Sequence, residues 1–326
     1  MKIILRVLVA IGLSLSLWPA AAQTNVPLPG RSINKLLPDY LRPYVYALNQ
    51  ANGSVPGTLL ALNATNGAII NEISLNLNPT DMALTPAGDA LYVINAGSRT
   101  ITKVDLNSFS VVADKSISTP NSYSLSNPLH IAVGRSNLVY FTDGGWAPSI
   151  TTFDYANGTN VAVYDDGNGT GGLAVTHDGR TLYRWRQYGW GAGNVNSWVT
   201  RYDAFTNANL TPLEDSFVSW RRDPTDTPIF LDTAERWVFN KQQMFAATNV
   251  SVLLNQFSDN IYGVSLDGSV AFGPTQVFNT QNGTTFTNLP FSTTVQTLSG
   301  DQKKLFRYNS STTNVVIYDM AGIASI

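Results

Sequence analysis

Few side chains in this 326-residue chain can do chemistry: it has two histidines and no cysteine. Without thiols there is no disulfide, no thiolate nucleophile and no Cys-based metal centre. His130 and His177 are the whole imidazole supply, and the strand alternation described below sends them to opposite faces, which excludes a His-His metal pair or relay. A Ser-His-Asp arrangement would rest on His130, yet no Gly-x-Ser-x-Gly elbow presents a serine. His130 therefore reads in two ways. It is a general base beside Asp81 from the preceding repeat, or a polar residue that starts an inner strand and bonds to its neighbour.

Aromatic and oxygen-rich segments give two further candidates. Trp146 and Trp190, with Tyr188, Arg186, Arg222 and Asp226 nearby on the same face, suit stacking against sugar rings or planar ligands, because the ring supplies area while polar neighbours fix orientation. The other tryptophans read as packing. Asp166-Gly-Asn168-Gly-Thr170-Gly matches the first half of a calcium loop, with oxygens at alternate positions, but His177 stands where the closing carboxylate belongs. A Gly-rich connector explains the same residues. Glycine-rich phosphate loops and dinucleotide fingerprints are absent, so calcium is the only cofactor the sequence suggests, and none is required.

The elements that must position these residues repeat. Thr85-Pro86-Ala87-Gly88-Asp89-Ala90-Leu91-Tyr92-Val93 followed by Ile101–Asp105 returns as Thr176–Tyr183 followed by Val199–Asp203. Second-strand landmarks stand at Tyr44–Tyr46, Leu91–Val93, Val139–Phe141, Leu182–Arg184, Trp237–Phe239, Val270–Phe272 and Leu305–Arg307. Roughly 300 residues over these repeats gives about 43 each, the length of a four-stranded propeller blade. Apolar residues alternate with period two or run in short blocks, so the expected fold is all-β, a seven-bladed β-propeller, with six or eight blades as alternatives. The fifth repeat is the poorest copy and the sixth is compressed.

Asn78-Pro-Thr-Asp-Met-Ala-Leu-Thr-Pro-Ala-Gly-Asp-Ala-Leu-Tyr-Val-Ile-Asn95 resembles the first hairpin of the bacterial Tyr-Val-Thr-Asn propeller repeats, kin in appearance to lactonase-like and NHL propellers. The resemblance covers most of residues 44–319 and implies a fold and an extracytoplasmic setting rather than one activity. The enzymes of that group assemble a metal or a His/Glu cluster at the channel mouth. This chain offers there one His and a few Asp.

Residues 1–22 read as a secretory leader: Lys2 and Arg6, an apolar run from Val7 to Leu17, then Ala20-Ala21-Ala22 before Gln23. Residues 23–43 form an N-terminal segment that could complete the ring, and 44–326 the propeller domain. The formal charge of −2 becomes −4 once Lys2 and Arg6 leave with the leader. Such a surface has no basic stripe for nucleic acid, and no later segment is apolar enough to insert in a membrane. Eight Asn-x-Ser/Thr sequons (at 52, 63, 157, 168, 209, 249, 282 and 309) fit hairpin turns as well as glycosylation.

The sequence thus leads to a secreted or periplasmic propeller acting as a binding or scaffold module for a carbohydrate or protein ligand. A lactonase-like hydrolase or lyase, and a self-assembling component of a cell surface or filament, are the alternatives.

Overall fold

A computed structural model of the protein describes residues 23–51, 54–118, 128–135, 138–143, 149–164, 171–188, 196–204, 210–216 and 228–320. Every regular element among them is a strand. Blade one holds β2 (Ile33–Pro38), β3 (Tyr44–Asn49), β4 (Pro56–Asn63) and β5 (Ile69–Leu77). In blade two follow β6 (Pro79–Leu84), β7 (Ala90–Asn95), β8 (Thr100–Asp105) and β9 (Ser110–Ser116). Blade three is β10 (Pro128–Val133), β11 (Leu138–Asp143), β12 (Ile150–Asp154) and β13 (Thr159–Tyr164). Blade four is β14 (Leu173–Val175), β15 (Thr181–Tyr188), β16 (Asn196–Asp203) and β17 (Thr211–Asp215). Blade five is β18 (Ile229–Leu231), β19 (Trp237–Asn240), β20 (Gln243–Ala246) and β21 (Asn249–Gln256).

Blade six is the compressed one, with β22 (Val270–Phe272), β23 (Gln276–Asn279) and β24 (Thr285–Asn288). Its innermost position is held only by a bridge between Val264 and Ala271. Blade seven is β25 (Gln296–Leu298), β26 (Lys304–Asn309) and β27 (Asn314–Asp319), completed by β1 (Gln23–Pro27) on the outside of β27. These seven sheets are antiparallel, and β2 contacts both β6 and β25, so the blades form a closed ring. Pairing first and last strands joins the two ends of the array and leaves no open seam.

The core is divided as radial geometry requires. Each neighbouring pair of blades shares its own apolar cluster, such as Leu91, Val93 and Val104 against Tyr46, Leu48 and Leu59 between blades one and two. The cluster between blades seven and one joins Phe306 and Val315 to Val45 and Leu60, with Leu28 and Val26 of the closing segment. No sheet is thick enough to bury both faces alone, so each lends one face to either neighbour.

The recurring Tyr of the second strand has a part in this packing. Tyr140 donates its hydroxyl to the Ala204 carbonyl at 3.4 Å and Tyr183 to the Ala247 carbonyl at 2.7 Å, each one blade further on. A large buried ring thereby also satisfies its polar tip across an interface.

Hairpins between first and second strands share a turn chemistry. Thr176, Ser265 and Ser299 donate their hydroxyls to Asp178, Asp267 and Asp301 at 2.6–2.7 Å. Gly88, Gly179 and Gly268 sit there at φ of 66–67°, a left-handed conformation that glycine adopts without strain. In blades five and seven Glu235 and Gln302 take that position at φ of 52° and 59°. Both side chains accept a backbone N–H of the preceding blade, Glu235 from His177 and Gln302 from Leu266. Each trades backbone strain for an inter-blade bond.

Candidate functional site

First strands line the central channel, whose volume is about 520 Å³. They run from the face carrying the second-to-third-strand loops, here called upper, to the face carrying the Asp-bearing hairpins. In blades one, two and three the first strand has a register shift against the second, between Ile33 and Lys35, Pro79 and Asp81, and Pro128 and His130. A bulge rotates the residue that follows it. Lys35, Asp81 and His130 are accordingly equivalent, each the residue just past the bulge. No such shift occurs in the first-to-second-strand pairings of blades four, five and seven.

The three side chains meet around Asp81, whose side chain is 8% exposed. One carboxylate oxygen accepts the Lys35 ammonium and the Met82 N–H at 2.8 Å. The other accepts the Ile131 N–H of blade three at 3.1 Å and faces His130 Nδ1 at 3.5 Å. Burial alone would push this carboxyl up. The Lys35 charge and the His130 contact outweigh that cost and hold it at about 2. A carboxylate offers roughly four lone-pair directions, and four partners surround this one. Asp81 is thus a pinned anion that ties three blades together.

Beyond these blades the channel lining mixes apolar residues such as Leu173, Phe230 and Val264 with polar ones such as Ser265, Gln296 and Thr297. Among the described residues no three His, Asp or Glu side chains are grouped to hold a metal ion.

Blade four supplies the second feature. β15 and β16 pair over eight residues, out to Tyr188 opposite Asn196, whereas the corresponding β7–β8 pairing stops after six. At about 3.3 Å per residue the extra pairs raise this hairpin roughly 7 Å above its counterpart on the upper face. Arg186 lies at its base, with its guanidinium 5.1 Å from the Trp198 ring centroid, 3.3 Å from Thr200 Oγ1 and 3.8 Å from Asp215. Cation–π stacking and an ion pair fix the orientation of this Arg. Trp185, in contrast, is buried at 1% exposure between blades four and five, beneath the Lys241 ammonium at 4.5 Å.

The placement of the sequence candidates divides sharply. His130 and Asp81 are neighbours in the channel, and Arg186 is on the projecting hairpin. Tyr188 ends β15, but its side chain lies outside the described residues, as do Trp146, Trp190, Arg222, Asp226 and the loop of Asp166, Asn168 and Thr170. His177 sits on the lower hairpin of blade four, at the other end of the first strand from the His130 level, with its backbone N–H given to Glu235.

Lys35 escaped the sequence reading. Asn78-Pro-x-Asp81 and Asn127-Pro-x-His130 share a visible pattern, but Ser32-Ile-x-Lys35 lacks its proline. Two buried arginines escaped as well. Arg184 and Arg307 occupy the second-strand position held by Val93 in blade two, and both are 0% exposed. Arg307 donates to Gln296 Oε1 and the Phe291 carbonyl, both at 2.9 Å, and to the Pro274 carbonyl. Its signal was a charge at an inward-facing step of the alternation.

Comparison with known proteins returns the fold. No family model matches the chain, and no curated protein does. Among solved structures, the β-propeller domain of Cps50 (Swd1) from Myceliophteria thermophila is 12% identical with a TM-score of 0.66, covering 90% of this chain and 99% of that one. A chain of a mitotic checkpoint complex is 12% identical with a TM-score of 0.65, covering 98% of each. A chain of the hydrazine synthase of Kuenenia stuttgartiensis is 13% identical with a TM-score of 0.51, covering 91% of this chain and 97% of that one. Identities this low establish a shared propeller architecture, and the architecture alone assigns no activity.

Proposed function

We propose that this chain is an exported propeller that works as a non-catalytic binding module, offering its upper face to a protein or carbohydrate ligand. The observation that carries the reading is the blade-four hairpin, which stands above its counterpart and keeps an oriented Arg186 against Trp198 at its base. Arg and Trp are favoured contact residues because they combine area with fixed polar geometry. One solved structure of like fold is a chain of a protein complex, which fits a protein ligand. Export rests on residues 1–22 as a cleavable leader. Cleavage before Gln23 would keep all the described residues of β1.

A lactonase-like reaction would rest on His130 with Asp81, and among the described residues lining the channel no Glu and no second His joins them. Self-assembly has its own supporting observation: outer strands carry exposed apolar side chains, among them Val252, Leu253 and Leu254 on β21 and Val112 on β9. Exposed apolar edges are templates for further pairing.

The deciding experiment uses purified mature protein on a glycan array and in crosslinking within its own extracytoplasmic fraction, with Arg186→Ala and His130→Ala variants beside it. Arg186→Ala should weaken binding about tenfold or more, roughly 1.4 kcal/mol, in a protein that stays folded but melts somewhat lower for loss of the Trp198 and Asp215 contacts. Retained binding in that variant removes the hairpin from the interface. Turnover of lactones abolished by His130→Ala would replace this reading with an enzyme. Concentration-dependent polymers without any ligand would favour assembly.

A further inference from the structure

We infer that the mature chain begins with a pyrrolidone ring, formed when Gln23 cyclises onto its own α-amine, and that this ring protects the seam of the propeller. The inference rests on the export part of the reading above. Gln23 follows the small residues Ala20, Ala21 and Ala22, where the leader is expected to be cut. It is also the first residue of β1, opposite Tyr318 of β27, and is exposed to solvent. Its carboxamide nitrogen makes a long surface contact of 3.3 Å with Asn25 Oδ1. Such a bond in water costs little to break.

The reaction needs nothing from outside the residue. A chain-terminal α-amine has a pKa of about 7.7–8.0, so a substantial neutral fraction exists near neutrality. Its nitrogen attacks Cδ of the carboxamide, and an N–Cδ bond closes a five-membered lactam. The Cδ–Nε2 bond breaks, and that nitrogen leaves as ammonia, taking the proton the amine gives up. Neither oxidant nor metal takes part.

The position gives the product a role. β1 spans five residues, and these supply the whole fourth strand of blade seven. Val26 packs into the cluster between blades seven and one and lies where a Cβ on Gly67 would collide with it, 2.6 Å from its Cγ2. β1 is also an outer strand, exposed at four of its five residues. Aminopeptidases require a free terminal amine, and residue-by-residue trimming from Gln23 would reach Val26 after three steps. A lactam denies them that amine and removes a positive charge from the strand end.

The test is intact mass and N-terminal peptide analysis of protein recovered from the extracytoplasmic fraction, for wild type and Gln23→Ala. Wild type should start at residue 23 and be lighter than the uncyclised chain by one ammonia. It should keep its melting temperature through aminopeptidase digestion, whereas Gln23→Ala loses residues of β1 and melts several degrees lower. A chain starting at Gln23 with a persistent free amine overturns this inference and leaves export standing. Retention of residues 1–22 overturns both, and cleavage at another position overturns this inference alone. Equal resistance of the two proteins to digestion overturns the protective role.

Discussion

Asp81 shows how burial and two basic neighbours compete in setting the charge of a single carboxyl. Buried carboxyls usually drift upward in pKa, which suits proton transfer. Here the Lys35 charge and the His130 contact reverse the drift and set the value at about 2. Because the folded value lies below the ordinary ~3.9, the ion pair stabilises the fold above pH ~4. That contribution falls away as pH drops from ~4 through about 2. Asp81→Asn should remove it. The cost expected is about 2–3 kcal/mol near neutrality, below the ~3–5 of a fully buried pair because Lys35 remains partly exposed. Denaturation curves of wild type and variant should converge as pH falls toward 2. Equal gaps at pH 7 and pH 2.5 would refute the account.

The strand elements carry their information in departures from regularity. First-strand bulges occur at the blades that bear Lys35, Asp81 and His130, and they turn three equivalent positions toward one another. Turn residues follow the same logic on the lower face. Gln302 accepts a left-handed backbone at φ 59° because its side chain holds the Leu266 N–H of blade six at 2.8 Å. Gln302→Ala keeps the strain and loses the bond, so it should destabilise by about 1–2 kcal/mol. Gln302→Gly loses the bond but relieves the strain, and should fall within about 0.5–1 kcal/mol of wild type. Urea unfolding of the pair separates the two effects. An Ala variant as stable as the Gly variant would show that the backbone there is not strained.

At the scale of the whole molecule, stability depends on closure more than on any one blade. The apolar cores lie between blades, so opening one interface exposes both of its faces. Removing Gln23–Pro27 should bare the edge of β27, whose Val315–Tyr318 run is apolar. Loss of Val26 and of five ladder pairs is expected to cost more than ~2 kcal/mol, which lowers the melting temperature by several degrees. The same truncation should produce oligomers by edge pairing, seen as an earlier peak in size-exclusion chromatography. A monomeric truncation melting with wild type would mean that the ring does not rely on its outer strand.

Sequence alone determined the propeller architecture, though not the number of blades, because a propeller is written locally: most repeats carry an apolar second strand, an Asp-bearing turn and alternating faces within a few tens of residues. Even the compressed sixth repeat and the poor match of the fifth were legible. The partners across blades were not. Asp81 and His130 could be placed on the same face, but Lys35, which with His130 outweighs the burial cost of the Asp81 charge, sits 46 positions away in a strand without the telltale proline. Nor did alternation reveal that Arg184 and Arg307 would be buried where blade two places Val93 and blade three Phe141. Local pattern fixes which way a side chain points from its strand. What it meets there depends on how neighbouring blades turn about the common axis, and that is set only when the ring closes.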